Sequence, residues 1–465
     1  MWMMRNVAWV ALLGLRVTAA VAATDGLDPR FGVDGVVLLG TTPVSAHTLA
    51  TSHGIAVQPD GKFLIATSTG GYTVEPNPQP TQVAAIVRLN ADGSWDESFG
   101  DHGIYAFPGS ATVSAYGGEA RSIALTSDGS IIAAGETYTQ SSGGEEVHSC
   151  ALLFRISASG VLDPTFGTDG SLCFDFAPEP PGVTYYYNNP SIAVDADDFL
   201  YLTTPLTNLG YGAVARFAPD GALDASYGSG GIARGADDMQ FAALVLDADQ
   251  RIVATGGEVT YRFTDSGLPD ATFGSGGELQ IDFGAYPTVY AQSAMLDGEG
   301  RLVSALFSNL GATGDFPMSR IDAHGTLDPT FNGAQQQPGF PGFAAAPIDD
   351  QAALAFAVPA QGSVFAVGVL DPMGYTMGLA RFNDDASFDT AYGDPAHPGW
   401  TGLRIGTDAT SINAPYGVAK DSAGRVLIVG VFSSDLGWCN GILRFIPDDL
   451  FNAGLDPAPV RACPP

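Results

Sequence analysis

The sequence is poor in charged residues, and basic residues are the scarcest of them. Lys and Arg number 19 against 50 Asp and Glu, which gives a formal net charge of −31. A chain of this charge repels phosphate backbones and anionic lipid headgroups, so nucleic acid is not an expected partner. Only 15% of the residues are charged, whereas Gly and Pro number 59 and 31. This balance favours many short strands joined by tight turns over long helices.

Common catalytic signatures are also missing. The chain contains no HExxH, GxSxG, Walker or CxxC pattern, so the enzyme classes that these motifs mark are not indicated. Acidic clusters at 195–198, 297–300 and 384–385 offer oxygen ligands of the kind that calcium prefers, but Asp is equally typical of turns. We predict no cofactor and leave calcium as the one possibility. The six histidines are scattered without the spacing of metal ligands: His47, His53, His102, His148, His324 and His397.

The first 23 residues have the features of a secretory signal peptide. Arg5 precedes an apolar run that ends in the small residues of 20–23, which is the order that signal peptidase recognises. Arg16 interrupts the run, and a membrane-spanning helix needs about 20 apolar residues. We therefore expect a cleaved signal and a secreted or periplasmic protein without a membrane span.

A short motif recurs seven times after this segment. Its clearest copy is LDPTFGTDG at 162–170, and the related copies begin at Leu27, Trp95, Leu223, Pro269, Leu327 and Phe388. Between copies, runs such as GIAVQPDGKFLIA (54–66) and AAIVRLN (84–90) predict a hairpin followed by another strand. Each unit therefore offers four strands of about five residues.

Seven four-stranded units predict an all-β fold, a seven-bladed β-propeller in which each sheet packs against its neighbours. The pattern R-[LF]-x-x-[DS]-G-x-[LW]-D-x-[ST]-[FY]-G, over residues 27 to about 450, resembles the delta-60 repeat family of secreted bacterial proteins. That resemblance implies a propeller-like repeat fold and no particular reaction. We predict a signal peptide at 1–23, the propeller at 24–455 and a C-terminal tail at 456–465.

Six arginines lie eight residues before a motif Asp, in the strand that precedes the motif. The pairs are Arg88 and Asp96, Arg155 and Asp163, Arg216 and Asp224, Arg262 and Asp270, Arg320 and Asp328, and Arg381 and Asp389. A planar guanidinium matches a carboxylate, so we expect each pair to pin a turn; a ring of free cations is the alternative. The seventh arginine, Arg444, has Asn452 at the matching position. The Phe or Tyr three residues past each motif Asp is expected to fill space between blades.

Four cysteines in an exported chain allow three disulfide pairings. Cys150 and Cys439 each precede the arginine of their strand by five residues, and Cys173 and Cys463 follow those arginines by 18 and 19. Because the two sets are near-copies on antiparallel strands, we predict disulfides Cys150–Cys173 and Cys439–Cys463. Four unpaired thiols are the alternative.

The same phasing of strands makes two further predictions. The small-residue runs SIAL (122–125) and SIAV (191–194) should be innermost, where the axis is crowded. An N-terminal strand near 36–39 should complete the last blade, although the tail that carries Cys463 competes for the same edge.

Length variation separates the two faces of the predicted disc. Insertions at 70–82, 137–149, 177–190, 283–290 and 393–402 fall on one face, and variable loops on a rigid scaffold are where recognition residues concentrate. Amphipathic aromatic side chains there suit sugars or protein surfaces, although each could instead cap a blade. The candidates are Tyr116, Tyr185, Tyr186, Tyr187, Tyr286, Tyr290, Trp400, Tyr416 and Trp438.

We therefore predict a monomeric, secreted or cell-envelope recognition scaffold that binds glycan or protein without catalysis. The alternative is an extracellular polysaccharide lyase or hydrolase with carboxylates lining the central funnel. Glycoside hydrolysis would need two carboxyl groups about 5 to 10 Å apart. Acidic, His and Arg side chains that converge in a deep axial pocket would favour the enzyme, and a shallow aromatic rim would favour binding.

Overall fold

A computed structural model gives the fold of this chain, and every regular element among the residues it describes is a β-strand. Within the same residues, no helix has the length and apolar character needed to cross a bilayer. The described residues are 27–39, 49–70, 82–109, 118–140, 146–176, 189–205, 211–237, 240–283, 289–308, 315–331, 343–347, 353–360, 362–369, 377–394, 397–403, 413–434 and 437–446.

The strands form seven four-stranded antiparallel sheets arranged as blades, which confirms the predicted all-β, seven-bladed propeller. Each blade has an inner, a second, a third and an outer strand. Blade 1 contains Leu49–Val57, Phe63–Thr69, Val83–Leu89 and Ile104–Ala106; blade 2 contains Gly118–Leu125, Ile131–Gln140, Glu146–Ile156 and Ser171–Phe174; blade 3 contains Ser191–Val194, Leu200–Thr203, Tyr211–Phe217 and Ile232–Asp237.

Blades 4 to 6 continue the same meander. Blade 4 contains Ala243–Leu246, Ile252–Thr255, Val259–Phe263 and Glu278–Gln280; blade 5 contains Val289–Leu296, Leu302–Ser308, Asp315–Ile321 and Phe343–Pro347; blade 6 contains Ala353–Ala360, Ser363–Val369, Met377–Asn383 and Trp400–Leu403. A two-stranded ribbon, Gly393–Asp394 with His397–Pro398, precedes the outer strand of blade 6.

Blade 7 closes the ring with a strand from the opposite end of the chain. Its inner, second and third strands are Asn413–Lys420, Val426–Ser434 and Gly437–Phe445, and its outer strand is Val36–Leu38. Val36 lies opposite Leu443, and Leu38 lies opposite Gly441. The N-terminal segment therefore forms the outer edge of blade 7, which the sequence had left open between this segment and the C-terminal tail. Residues 447–465 lie outside the described part.

The inner strands of neighbouring blades lie against one another around the axis, including those of blades 7 and 1. Small side chains permit this approach, and the runs at 122–125 and 191–194 are innermost as predicted. The second and third strands are buried on both faces between blades, as Phe63–Thr69 illustrates with all seven of its residues buried. The core is consequently a series of apolar layers between successive sheets.

Two faces of the disc follow from the meander. The hairpin face holds the turns between inner and second strands, such as 58–62, and between third and outer strands, such as 90–103. The connector face is the opposite one, where the chain passes from second to third strand and from each blade to the next.

The recurring motif joins each blade to its successor on the hairpin face. In blade 2, Asp163 accepts hydrogen bonds from the backbone N–H and hydroxyl of Thr165 and from Arg155 Nε at 2.6 Å. Arg155 lies over the buried Phe166 ring, and its Nη1 donates to the Pro219 carbonyl of blade 3 at 2.6 Å. One short sequence thus makes a turn, an ion pair and an inter-blade bond.

The other copies repeat this joint. The distances from Arg Nε to Asp Oδ2 are 2.7 Å for Arg88 and Asp96, 2.7 Å for Arg216 and Asp224, 2.9 Å for Arg262 and Asp270, 2.8 Å for Arg320 and Asp328, and 3.3 Å for Arg381 and Asp389. The motif aromatics are all buried: Phe31, Phe99, Phe166, Tyr227, Phe273, Phe331 and Tyr392.

The seventh arginine pairs across the closure of the ring. Arg444 Nη2 lies 2.9 Å from Asp28 of the first motif, so its partner comes from the N-terminus and not from the matching position further along the chain. Arg444 also donates to the Ala91 carbonyl of blade 1 at 2.5 Å, and Gly32 N–H donates to the Asp92 carbonyl at 2.7 Å. Blade 7 is therefore joined to blade 1 by the same joint as the others.

The disulfide Cys150–Cys173 is present and links the third and outer strands of blade 2, with a Cα–Cα distance of 5.5 Å. This confirms the first predicted pairing. The side chain of Cys439 and the whole of Cys463 lie outside the described residues, so the second pairing stays a prediction.

An axial cluster on blades 7, 1 and 2 as the candidate functional site

Exposed Phe, Trp and Tyr side chains occur only on inner strands in the part of the chain that the structure describes. Of the aromatic side chains it describes, only Tyr290 and Tyr416 are exposed, at 45% and 44%. Tyr290 belongs to the inner strand of blade 5 and Tyr416 to the inner strand of blade 7. Because the inner strands surround the axis, these two rings border the axial opening. Tyr290 lies near the start of its strand, at the connector face.

Bulges in the inner strands explain how side chains reach this opening. The pairing of inner and second strands shifts register at Arg121 in blade 2, at Tyr416 in blade 7 and between Ser52 and Ile55 in blade 1, where His53 lies. A bulge leaves one residue without a cross-strand partner and re-aims its side chain. Tyr416, His53 and Arg121 are therefore equivalent positions on three successive blades. Blade 5 has the same irregularity at the exposed Gln292.

The residue after the bulge sets how closely these blades approach. A Cβ built on Gly417 would lie 1.9 Å from the His53 carbonyl oxygen, and one built on Gly54 would lie 2.6 Å from that of Arg121. Only glycine allows such contacts. Blade 2 has Ser122 at this position, and its hydroxyl accepts a hydrogen bond from the Ile192 N–H of blade 3 at 3.2 Å. The dipeptides His-Gly and Tyr-Gly thus draw blades 7, 1 and 2 together.

His53 connects the three blades. Its ring centroid lies 5.5 Å from that of Tyr416 in an edge arrangement. Its Nδ1 lies 3.2 Å from Arg121 Nη1, and its Nε2 lies 3.1 Å from Glu119 Oε2. Because a guanidinium can only donate, Nδ1 must accept, and Nε2 then carries the proton that is donated to Glu119. The hydrogen bonds therefore assign His53 the neutral tautomer protonated at Nε2.

Arg121 is held by acceptors on every side. Its Nε and Nη2 donate to the buried Glu136 on the second strand of blade 2, and Nη2 also lies 2.9 Å from Glu119. Its Nη1 donates to His53 and to Asn189 Oδ1 at 3.2 Å. Asn189 is an exposed residue at φ 48°, in the segment that leads into the inner strand of blade 3. The guanidinium thus spans blades 1, 2 and 3.

The pKa values of this cluster follow from burial and these contacts. Burial lowers the pKa of His53 below its ordinary 6.5; the hydrogen bond to Glu119 opposes this shift and the Arg121 charge adds to it. Burial acts to raise the pKa of Glu119, but the His53 hydrogen bond and the Arg121 charge outweigh it, and the pKa is lowered. At neutral pH the cluster holds a neutral imidazole, one guanidinium and two carboxylates, a net charge of −1.

Sequence reasoning named part of this site and missed its centre. Tyr290 and Tyr416 were candidates, but His53, Glu119, Arg121 and Glu136 were not. Their position in the repeat could have indicated them. His53 precedes the inner-strand run GIAV, Arg121 precedes SIAL and Tyr416 precedes GVAK, and these three runs align with one another. The backbone of Trp438 begins the third strand of blade 7, and its side chain is not described. Five candidates lie outside the described residues: Tyr116, Tyr185, Tyr186, Tyr187 and Tyr286.

Trp400 differs from expectation and needs a correction. Segment 393–402 was assigned to the variable face, but it connects the third and outer strands of blade 6, on the hairpin face. Trp400 lies opposite Ala380 and packs against a buried cluster that includes Phe331 and Phe382. The segment is an enlarged motif turn, and its Trp contributes to the core.

Calcium binding was kept as a possibility because of the acidic clusters, and in this fold those clusters form turns. Asp195 Oδ1 accepts the N–H groups of Asp197 and Phe199, and Asp297 Oδ1 accepts those of Glu299 and Arg301. Over the ranges that the structure describes, no three His, Cys, Asp or Glu residues are grouped as metal ligands.

Comparison with known proteins agrees with the repeat architecture. The family described as a domain of unknown function (DUF5122) beta-propeller matches residues 58–99 and 126–166. This match, which covers parts of blades 1 and 2, agrees with the propeller formed by the seven sheets. No curated protein sequence matches the chain.

Several solved structures are similar to this chain at low sequence identity. A protein of unknown function from Dyadobacter fermentans is 12% identical, with a TM-score of 0.43 over 89% of this chain and 100% of that chain. The polysaccharide lyase Uly1 is 10% identical, with a TM-score of 0.47 over 92% and 94%. Trypanosoma rangeli sialidase in complex with the inhibitor DANA is 11% identical, with a TM-score of 0.40 over 89% and 58%.

Proposed function

We propose that this protein is an exported, non-catalytic carbohydrate-binding propeller that holds a glycan at the axial opening between Tyr290 and Tyr416. The observation that carries the proposal is the confinement of exposed aromatic side chains, among those described, to inner strands, where Tyr416 contacts the hydrogen-bonding cluster through His53. A rigid aromatic platform with a few fixed polar groups is the usual composition of a small-ligand site.

The chemistry of the surrounding groups suits a sugar. A sugar ring has an apolar face that can lie on a tyrosine ring and hydroxyls that need planar hydrogen-bonding partners. Glu119, Asn189 and Gln292 offer carboxylate or amide groups at the inner strands or just before them. The Gly417 and Gly54 contacts fix Tyr416, His53 and Arg121 relative to one another, which lowers the entropy cost of binding beside them.

The state of the carboxyl groups supports binding over hydrolysis. A general acid for glycoside cleavage needs a raised pKa, whereas the pKa of Glu119 is lowered. Glu119 and Glu136 both pair with Arg121, so neither is poised to give up a proton.

The contact between Tyr416 and His53 favours one second candidate, an enzyme that cleaves polysaccharide by β-elimination. Two groups capable of proton transfer are adjacent there, with ring centroids 5.5 Å apart, beside a guanidinium. Such an enzyme would release unsaturated chain ends from its substrate, and a binding protein would leave the chain intact.

Export is supported by the disulfide Cys150–Cys173, because such bonds persist mainly in oxidising compartments. Together with the signal-like segment at 1–23, it supports a secreted or periplasmic destination. We propose a monomer, since each blade, including blade 7, finds its neighbours within one chain.

The test is affinity electrophoresis in gels cast with individual soluble polysaccharides, followed by a glycan array. Tyr416→Ala and Tyr290→Ala should each weaken binding by about tenfold, equivalent to ~1.4 kcal/mol. The matched control is Leu268→Ala, which truncates a side chain that is 60% exposed in a third-to-outer turn on the hairpin face. Full retention by both Tyr variants, or no retention of the wild type by any polysaccharide, would contradict the proposal. New unsaturated ends after incubation would establish the enzyme instead.

A further inference from the structure

The guanidinium of Arg121 has no donor left for a ligand. It has five N–H groups, and five contacts account for them: Nε and one Nη2 hydrogen to Glu136, the other Nη2 hydrogen to Glu119, and the two Nη1 hydrogens to His53 and Asn189. An anionic sugar would be gripped through paired N–H donors. To provide them, Arg121 would have to abandon a partner, and Glu136 is almost wholly buried, with its side chain 2% exposed. Moving the guanidinium away from this buried carboxylate would remove an opposite charge in a site that solvent hardly reaches, which is costly.

The charge around the opening disfavours anions as well. The cluster carries a net −1, and the chain carries −31. A polyanion approaching this end of the axis would meet repulsion.

The charged group that remains is the acceptor Glu119, and beside it stands the neutral amide of Asn189, which can both donate and accept. The side chain of Glu119 is 13% exposed, and Asn189 is exposed beside it. A sugar hydroxyl can donate to a carboxylate or an amide oxygen, whereas a uronate or sulfate group presents only acceptors to them.

From this arrangement we infer that the axial site selects uncharged glycans, and that the saturation of Arg121 by Glu119 and Glu136 is what rejects uronate and sulfated sugars. Arg121 is thus a positioning residue that holds the acceptors in place and does not grip the ligand. The inference rests on the proposed function and narrows its ligand class.

The experiment compares retention on two pairs of polymers that differ in charge, galactan with polygalacturonate and dextran with dextran sulfate, together with an array of neutral oligosaccharides and their uronate counterparts. The wild type should be retained by neutral members only. Binding should change little between about 0.05 and 0.5 M salt, because screening acts on charge pairing.

Glu136→Gln tests the mechanism by a gain of binding. It keeps the shape and the oxygen that accepts both Arg121 bonds but removes the charge that neutralises the guanidinium, so the ratio of anionic to neutral retention should rise by about tenfold. Glu299→Gln is the matched control, because it makes the same change in an exposed turn of the hairpin face and should leave the ratio as it is. Circular dichroism and thermal melting establish that both variants are folded.

The outcomes separate the two proposals. Wild-type retention by an anionic polymer and not by its neutral counterpart would overturn the selectivity and leave carbohydrate binding standing. Retention by no polymer and no array glycan would overturn the proposed function and the selectivity with it. A folded Glu136→Gln protein with an unchanged ratio would refute the role of Arg121 saturation. If that variant does not fold, strong loss of wild-type binding with added salt would refute the inference by itself.

Discussion

Replacing Asp28 by Asn should open the ring at its closure. Asp28 is fully buried and lies 2.9 Å from Arg444 Nη2, 3.2 Å from Arg425 Nη1 and 2.9 Å from Arg30 Nε. The change keeps the shape of the side chain and removes the charge that faces these cations. Arg444 is itself buried, so it would lose its counter-charge in a site that solvent does not reach.

The magnitude follows from the pKa of Asp28. Burial acts to raise it, but hydrogen bonds from Arg30 and the charges of Arg444 and Arg30 lower it from 3.8 to about 2. At about 1.36 kcal/mol per unit, the charged form contributes about 2 to 3 kcal/mol to the free energy of unfolding. Because the folded-state pKa is depressed, this contribution is complete above pH 4 and is lost as the pH falls toward 2. Asp28→Asn should cost the same amount at pH 7 and should remove that acid dependence.

The assay is urea unfolding with hydrogen exchange measured by mass spectrometry. Exchange should rise first in Val36–Leu38 and Gly437–Phe445, the two strands that close blade 7. The matched control is Asp163→Asn, which affects the same joint between blades 2 and 3, where the carboxylate is 25% exposed; it should cost about 1 kcal/mol or less. Equal losses in the two variants, or faster exchange spread evenly over the blades, would refute the reasoning.

Two further predictions concern the axial cluster. Because the pKa of His53 is lowered, the unfolded chain binds the proton more tightly, so stability should be constant above the ordinary value of 6.5 and fall below it. His53→Gln should flatten this slope in melting curves between pH 5 and 8, whereas replacing His102, whose pKa a hydrogen bond to Glu97 raises, should not. Gly417→Ala should force blades 7 and 1 apart and lower both melting temperature and glycan retention, and Gly298→Ala, with open space around it, should change neither. Equal behaviour within either pair of variants would count against the site geometry.

The fold could be predicted from the sequence because the same local interactions recur in all seven repeats. Asp-x-Thr-Phe-Gly makes a turn, an ion pair and an aromatic plug, and each is a short-range arrangement that residue spacing reveals. The Cys150–Cys173 disulfide could be predicted for the same reason, since it joins adjacent strands of one blade. The partner of Arg444 could not be predicted, because Asp28 lies at the other end of the propeller sequence and meets Arg444 only when the ring closes.

The site was less readable because it arises where repeats differ. His53, Arg121 and Tyr416 share one structural position, but nothing in their side-chain chemistry is common, so a search for recurring residues passes over them. Their meeting depends on β-bulges, which alter register without a fixed sequence signature. Trp400 shows the opposite error, since an enlarged turn was assigned to the wrong face because its length varied.

The location of the cluster links binding to ring closure. Tyr416 belongs to blade 7 and His53 to blade 1, so their contact crosses the boundary between the last blade and the first. Blade 7 is complete only when Val36–Leu38 pairs with its third strand, and Asp28 fixes that strand through Arg444 and Arg425. The joint lies on the hairpin face, while Tyr416 borders the axial opening. Loss of the N-terminal strand should therefore weaken glycan binding through blade 7, although no residue of that strand belongs to the axial cluster.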